Sequence, residues 1–287
     1  MTGTFTAACI QNEAVADMDA SVAAATQLVR AARAEGAELI CLPEYFACLK
    51  ADEAGFEVGA HGEAAHPALS HYRDLAAELG AWLLLGSLAI TAGPEKIFNR
   101  SYLLDPTGAV AARYDKIFLF DVDLEGGESY RESALIEPGA RATLAPLPWA
   151  TLGLTICYDL RFPQLYRSLA QAGAEVLTVP AAFTETTGQA HWHVLLRARA
   201  IETGCYVLAP CQCGDHGGGR ATYGHSLIVD PWGRVLADAG EGPGYVLAEI
   251  DPAEAAKARA MIPSLDHDRP FAEPEAEDRA APAARRA

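Results

Sequence analysis

Two stretches of this sequence repeat each other. Residues 38–46 read ELICLPEYF and residues 175–183 read EVLTVPAAF, so each has a glutamate, four mostly apolar residues, a proline, two further residues and a phenylalanine. A second pair follows in the same order, because SYLLDPTGAV (101–110) resembles SLIVDPWGRV (226–235). Chance similarity between short apolar strands explains one match more easily than two in order. The pattern therefore indicates an internal duplication.

Each half of the repeat predicts a strand, a helix and a second strand. In the first half, TFTAACI precedes a helix that we expect to be capped by Asp19 or Ser21 and to end near Gly36. In the second half, TLGLTIC precedes a helix that begins at Pro163 and ends at Gly173. Such units imply parallel strands with the helices on one side of the sheet.

A sheet that carries helices on one side leaves its other face apolar and uncovered. Two such halves can cover those faces by stacking sheet on sheet, which gives a four-layer α-β-β-α sandwich with an internal two-fold duplication. One continuous doubly wound sheet is the alternative. The two Asp-Pro-x-Gly hairpins favour the sandwich, because they extend each half separately with antiparallel strands.

Length and charge limit the classes of protein to which the chain can belong. Its 287 residues carry a formal net charge of -16, which disfavours binding to nucleic acid or to an anionic membrane. We expect one domain over residues 1–271 and a disordered tail over residues 272–287, where alanine, proline and charge dominate. The N-terminus lacks the features of a signal peptide, and seven scattered cysteines fit free thiols, so we expect a cytoplasmic protein.

Three reactive side chains follow predicted strands. Glu44 comes just after ELICLP, Lys116 follows the first Asp-Pro-x-Gly hairpin, and Cys157 ends TLGLTIC. Sites in α/β proteins form at the carboxyl ends of strands, so these groups are candidates for one site. A carboxylate can take the proton of a thiol, and an ammonium with the backbone N–H of Tyr158 can stabilise an oxyanion. This chemistry suits attack on an amide or nitrile without a metal or cofactor.

Other interpretations compete with that site. A lone cysteine after an apolar strand is usually a buried packing residue. His191 and His193 could supply the base of a Cys–His hydrolase, or serve in helix capping or packing. Cys211, Cys213 and His216 have no evident fourth ligand, so we expect no metal site there.

Three segments resemble the signatures of the carbon–nitrogen hydrolase (nitrilase) superfamily: LPEYF, YDKIFLFD and CYDLRFP. The resemblance covers about residues 4–270 and implies the sandwich fold. It assigns the catalytic glutamate, lysine and cysteine to Glu44, Lys116 and Cys157. It also implies a second glutamate, which best matches Glu132, with Glu125 and Glu128 as alternatives.

The segments 187–216 and 220–233 resemble the branch of deaminated glutathione amidases and omega-amidases. That branch implies a small 2-oxo-dicarboxylic monoamide as substrate and a homodimer or larger homo-oligomer. Another small amide or nitrile is the alternative substrate, and an idle binding scaffold is the alternative class. The HGGGR loop (216–220) departs from the pattern and leaves its effect on substrate choice open. We assign Tyr158, Arg161, Phe183 and Thr184 to substrate binding, although Arg161 could instead pair with Asp159.

Overall fold

The computed structural model describes residues 3–52, 55–124 and 129–272, which form two six-stranded sheets with helices. Glu125, Glu128 and residues 273–287 of the expected tail lie outside the described residues. The helices are α1 (Met18–Ala34), α2 (Pro67–Leu79), α3 (Pro163–Gln171), α4 (Glu185–Thr203) and α5 (Pro252–Met261).

The strands divide between the two sheets and three short hairpins. The strands are β1 (Phe5–Gln11), β2 (Leu39–Cys41), β3 (Lys50–Asp52), β4 (Gly55–Glu57), β5 (Trp82–Thr91), β6 (Ile97–Leu104), β7 (Val110–Asp115), β8 (Asp121–Asp123), β9 (Ser129–Arg131), β10 (Thr143–Pro146), β11 (Thr151–Leu154), β12 (Val176–Thr178), β13 (Tyr206–Ala209), β14 (Cys213–Asp215), β15 (Ala221–Tyr223), β16 (Leu227–Val229), β17 (Val235–Asp238) and β18 (Gly244–Ile250).

The two sheets have matching topologies, as the duplication predicts. The first sheet has the order β18-β1-β2-β5-β6-β7 and the second has the order β10-β11-β12-β13-β16-β17. In each sheet three parallel strands are followed by an antiparallel hairpin, and a further antiparallel strand borders the other edge. The alternative of one continuous sheet is wrong, because the two halves form separate sheets.

The side chains of the first sheet alternate between two apolar layers. Along β1, Ala8 and Ile10 pack with residues of α1 and α2, whereas Ala7 and Cys9 pack with residues of the second sheet. This alternation follows from the two-residue period of a strand. The outer face of the second sheet is covered by α3 and α4. The predicted order of layers, helix, sheet, sheet, helix, is confirmed.

The two Asp-Pro-x-Gly turns have the same hydrogen bonds. Asp105 Oδ1 accepts the backbone N–H groups of Thr107 and Ala109, at 2.8 and 3.1 Å. Asp230 Oδ1 accepts the corresponding groups of Trp232 and Arg234, at 2.8 and 2.9 Å. An aspartate side chain that bonds the backbone two residues on stabilises such a turn, so the same local chemistry closes each half.

The start of α1 differs from the prediction. Its N-cap is Asp17, whose carboxylate accepts the N–H of Ala20, and neither Asp19 nor Ser21 serves. Ser21 instead uses its hydroxyl to accept the N–H of Val15, at 2.9 Å. The second predicted helix is confirmed, because α3 begins at Pro163 and ends before Gly173.

In the part of the chain that the structure describes, three short hairpins lie outside the two main sheets. They are β3–β4, β8–β9 and β14–β15.

All seven cysteines lie among the described residues, and all are free and buried. Over the described ranges, no helix is both long and apolar enough to cross a membrane.

Candidate active site

Glu44 and Cys157 each lie just past the carboxyl end of a parallel strand, one in each sheet. Glu44 lies three residues after β2 and Cys157 three residues after β11. Cys157 has a backbone φ of 47°, and Tyr45, next to Glu44, has a φ of 53°. Residues other than glycine rarely adopt such values, which are frequent where an active site stores backbone strain. The N–H of Cys157 is fixed by the carbonyl of Pro180, at 2.9 Å.

Lys116 directly follows β7 and lies between two carboxylates. Its Nζ is 3.0 Å from Glu44 Oε1 and 2.8 Å from Glu132 Oε1, and its side chain is 2% exposed. Burial opposes the charge, but Glu132 and Glu44 outweigh that effect and hold the pKa of Lys116 well above its ordinary value. The amine is therefore an ammonium ion in the resting protein.

Hydrogen bonds fix the carboxylate of Glu44. Its Oε1 accepts hydrogen bonds from the side-chain amide of Asn99, at 2.8 Å, and from the ammonium of Lys116. Its Oε2 accepts a hydrogen bond from the backbone N–H of Ala182, at 2.8 Å. This donor belongs to the second half of the repeat, where it directly follows Ala181, the residue that matches Glu44. One half supplies the acid, and the other supplies a backbone donor that holds it.

The thiol of Cys157 is protonated at rest. Burial and the Glu44 carboxylate raise its pKa well above the ordinary value, and Lys116 only partly opposes them. A hydrogen bond between the thiol and Glu44 is one of the causes of this rise in pKa. A base that accepts this hydrogen bond can take the proton as the sulfur attacks, so the arrangement suits general-base activation.

One pocket of about 530 Å³ contains every predicted site residue. Glu44, Lys116, Glu132 and Cys157 lie among its lining residues. The four residues assigned to substrate binding line the same pocket: Tyr158, Arg161, Phe183 and Thr184. The volume falls in the range of pockets that take small organic ligands.

Arg161 and Asp159 do not pair with each other. Asp159 is fully buried and accepts hydrogen bonds from the hydroxyl of Tyr114 and from the N–H groups of Phe118 and Ile156, at 2.7, 3.0 and 2.8 Å. Among the described residues, Arg161 forms no ion pair with a carboxylate. Its guanidinium lies against the ring of Phe183 and extends to the pocket.

Several pocket residues were missed by the sequence analysis. The hairpin β8–β9 and the segment after it contribute Tyr130, Arg131 and Ile136, and the HGGGR loop contributes Arg220. The guanidinium of Arg220 lies 4.7 Å from the centre of the Tyr130 ring. No motif indicated the hairpin β8–β9, and the HGGGR loop was noted without a role for Arg220. The two arginines, in an acidic chain, were a usable signal.

The other candidates lie outside the pocket lining. His191 and His193 do not line the pocket, and α4 begins at Glu185, so they lie inside the helix and not at its start. Cys211 is buried, and the two ring nitrogens of His216 are hydrogen-bonded to the carbonyl of Ala14 and to the hydroxyl of Thr222. Within the described ranges, those cysteines and His216 do not converge on a common point suited to a metal ion.

A buried thiol beside a carboxylate and an ammonium is typical of hydrolases that form a covalent intermediate on cysteine. The sequence model of the carbon–nitrogen hydrolase family matches residues 6–260, and the chain belongs to that family. It is an amidohydrolase, an enzyme for carbon–nitrogen bonds other than peptide bonds.

Known proteins resemble the chain over most of its length. A deaminated glutathione amidase from Synechocystis sp. is 42% identical over 270 residues, which are 92% of this chain and 97% of that protein. The crystal structure of the C. elegans NitFhit protein has a TM-score of 0.84 at 35% identity, covering 93% of this chain and 66% of that one.

An amidase from Nesterenkonia sp., a member of the nitrilase superfamily, is also similar. A glutamate variant of it has a TM-score of 0.75 at 28% identity over 88% of this chain and 92% of that one. It shows covalent addition of the acetamide moiety of fluoroacetamide at its active-site cysteine. These likenesses confirm the nitrilase-like sandwich.

Proposed function

We propose that the chain hydrolyses deaminated glutathione, the 2-oxoglutaramyl amide of Cys-Gly, or a related 2-oxo-dicarboxylic monoamide, with Cys157 as nucleophile. The observation that carries this proposal is the convergence of Cys157, Glu44 and Lys116 in one pocket that is also lined by arginines. The relative from Synechocystis sp. supports the choice of substrate. The reaction uses side chains and water, without a cofactor.

The first half-reaction forms a thioester. Cys157 Sγ attacks the amide carbon while Glu44 takes the thiol proton. The oxygen of the tetrahedral intermediate becomes negative, and the Lys116 ammonium and the N–H of Tyr158 stabilise it. The intermediate collapses, the C–N bond breaks, and Glu44 gives its proton to the departing amine. The products of this half are the thioester and a neutral amine.

The second half-reaction returns the enzyme to its starting state. Glu44 takes a proton from water as the water oxygen attacks the thioester carbon. The C–S bond then breaks, the thiolate regains the proton from Glu44, and the acid product leaves. Glu132 does not exchange protons in this scheme. Its contacts with Lys116 and with the N–H of Phe120, at 2.8 and 2.7 Å, hold the ammonium in place.

The charge at the pocket supports an anionic substrate. Arg161, Arg131 and Arg220 all line it, in a protein whose net charge is -16. Arg131 is paired with Asp123, at 2.8 Å. We assign Arg161 to the 2-oxo-carboxylate, because a guanidinium binds a carboxylate in a planar two-bond fork. Phe183 and Thr184 form the wall beside it.

The setting of the enzyme is also part of the proposal. Free buried cysteines fit a reducing compartment, and we propose a cytoplasmic location. We further propose a homodimer or a larger homo-oligomer. Exposed apolar side chains on the helices and the last turn of the second sheet support self-association, among them Val194, Ile201 and Trp232.

The test is a comparison of kcat/KM across four amides. They are deaminated glutathione, glutathione itself, 2-oxoglutaramate and a neutral aliphatic amide, and the readouts are Cys-Gly or ammonia release. We expect the 2-oxo substrates to exceed glutathione by at least about a hundredfold, because an amino group in place of the oxo group puts a cation near the arginines. Equal or faster hydrolysis of the neutral amide would contradict the proposed substrate. The variant Cys157→Ala is the control for uncatalysed hydrolysis.

A further inference from the structure

Two histidines and an aspartate meet outside the pocket. His193 lies on α4, His225 precedes β16, and Asp238 ends β17. His193 Nε2 is 3.1 Å from Asp238 Oδ2, and His225 Nδ1 is 2.9 Å from Oδ1 and 3.2 Å from Oδ2. The three ligand atoms all lie within 4.8 Å of one another. The set is partly exposed, so an ion from solution can reach it.

The surrounding structure fixes these side chains before any ion binds. His225 has a φ of 52°, its N–H donates to the carbonyl of Gly240 at 2.8 Å, and its own carbonyl accepts the indole N–H of Trp192 at 2.8 Å. The ring of Tyr223 stacks on the His225 ring with centroids 4.5 Å apart. Asp238 Oδ1 also accepts the N–H of Gly240, at 2.8 Å. Little conformational entropy is left to lose on binding an ion.

The carboxylate of Asp238 is the centre of this cluster. The backbone N–H of Gly240 and one ring nitrogen each of His193 and His225 lie within hydrogen-bond distance of it. Both imidazoles direct one nitrogen at this carboxylate. A neutral imidazole that shifts its proton to the other ring nitrogen offers a lone pair in the same direction.

We propose that His193, His225 and Asp238 form a binding site for one divalent transition-metal ion, such as Zn²⁺ or Co²⁺. Two imidazoles and one carboxylate are ligands that these ions prefer, whereas Mg²⁺ and Ca²⁺ prefer oxygen. Ligand bonds of about 2.0–2.2 Å place neighbouring donor atoms about 3.3 Å apart, close to the present contacts with the carboxylate. Water fills the remaining coordination positions.

The ion would act on the wall of the pocket and not on the chemistry. None of its three ligands lines the pocket. The buried side chain of Trp192 lies between the two sites. Its indole N–H donates a hydrogen bond to the carbonyl of His225, and its ring lies 4.9 Å from the ring of Phe183, which lines the pocket. The N–H of Tyr223 also donates to the carbonyl of Phe183, at 2.9 Å. An ion would therefore tie α4 to the second sheet behind the wall.

The test is a titration of the full chain with Zn²⁺ by calorimetry, together with the visible absorption of bound Co²⁺. We expect one ion per chain. His193→Ala and Asp238→Asn should each lower the affinity for the ion by at least about tenfold. Loss of a residue that only contacts a metal ligand already has an effect of that size. Asp238→Asn keeps an acceptor for Gly240, so it preserves the turn. Circular dichroism checks that both variants are folded.

Two controls separate this site from other metal ligands. His267→Ala removes an exposed histidine elsewhere and should bind as the parent protein does. Cys157→Ser removes the thiol of the pocket and should also leave binding unchanged. Equal affinities in the parent, His193→Ala and Asp238→Asn would overturn the proposal. The proposal would also be overturned if the bound Co²⁺ showed a thiolate-to-cobalt absorption band and all Co²⁺ binding disappeared in Cys157→Ser. The ion would then bind at the thiol of the pocket.

Discussion

Lys116 Nζ lies 2.8 Å from Glu132 Oε1, and this contact joins the sheet that carries the ammonium to a short helical turn that lines the pocket. Glu44 lies on the other side of the same ammonium, at 3.0 Å. Two carboxylates thus share one buried cation. Removal of the cation leaves both negative charges together, whereas removal of one carboxylate leaves a balanced pair. This asymmetry makes the stability of the variants predictable.

The first prediction concerns Lys116→Met. The variant should lose on the order of 100- to 1000-fold in kcat, because the charge acts where the oxyanion develops. It should also lose about 3–5 kcal/mol in the free energy of unfolding, the usual effect of breaking a buried ion pair from one side. The double variant Lys116→Met/Glu132→Gln should regain part of that stability but no activity. A double variant no more stable than the single one would show that charge repulsion is not the cause.

The second prediction concerns Glu132→Gln. The amide keeps an oxygen for the N–H of Phe120 but loses the charge that holds Lys116, so we expect kcat to fall by about tenfold to a hundredfold with little change in KM. Steady-state kinetics measures both quantities. Glu125→Gln and Glu128→Gln are the matched controls, since the sequence allowed either glutamate in this role. A loss confined to one of those controls would transfer the role away from Glu132.

The third prediction separates the two parts played by Glu44. In Glu44→Gln the departing amine receives no proton, so amide hydrolysis should fall by at least about a thousandfold. Alkylation of Cys157 by fluoroacetamide or iodoacetamide should persist, because the departing halide needs no proton. Loss of the Glu44 charge also removes one cause of the raised thiol pKa, so the Lys116 ammonium can stabilise a thiolate. Intact mass measures the adduct, and Cys157→Ser is the control that forms none. Loss of both reactions together would show that Glu44 is needed to form the nucleophile itself.

The strand ends and the reactive groups were predictable because their signals are local. A reactive side chain placed just after an apolar strand indicates the edge where sites form, and Glu44, Lys116 and Cys157 all have that position. The repeat added the layer order, since two matching halves have to cover two apolar sheet faces.

The rim of the pocket was not predictable in the same way. Tyr130 and Arg220 lie on separate hairpins, and their contact depends on how those hairpins fold over the sheet. The pairing of His193 with Asp238 likewise joins residues distant in sequence. Even the cap of α1 was misplaced, because Asp17, Asp19 and Ser21 are all good capping residues and only the backbone decides among them.

The fourth prediction concerns pH and Asp159. Burial raises the pKa of Asp159 to about 6 from the ordinary 3.8, against the hydrogen bonds that it accepts. Between about pH 4 and pH 6 the unfolded chain has lost this proton while the native state retains it. The contribution of Asp159 to the free energy of unfolding therefore falls as pH rises through this range. The whole decrease is about 3 kcal/mol.

Asp159→Asn tests this, because the amide does not ionise. The variant should lack that decline, although it is less stable throughout, since its NH₂ group faces a backbone N–H donor. Urea denaturation of both proteins at several pH values gives the two slopes. Parallel slopes would show that Asp159 titrates alike in the folded and unfolded states.

The last prediction concerns Arg161 as the anchor of the substrate carboxylate. Its guanidinium lies 5.3 Å from the ring of Phe183 and 6.0 Å from that of Tyr158, and its Nη1 is 3.3 Å from His191 Nδ1. The rings limit its orientation without neutralising it. Arg161→Lys keeps the charge but loses the planar fork, so kcat/KM for the 2-oxo-acid amide should already fall. Arg161→Ala should lower it further, by about tenfold to a hundredfold for a charge-assisted contact.

A neutral amide of similar size provides the internal comparison for Arg161. It has no carboxylate to anchor, so its kcat/KM should change much less in either variant, whereas a folding defect would lower both substrates alike. Arg141→Ala, at an exposed arginine outside the pocket lining, is the matched control and should behave as the parent enzyme. Equal losses on the charged and neutral amides would mean that Arg161 shapes the pocket wall with Phe183 and Tyr158. The substrate carboxylate would then bind at another arginine of the pocket, and Arg220 would be the next residue to substitute.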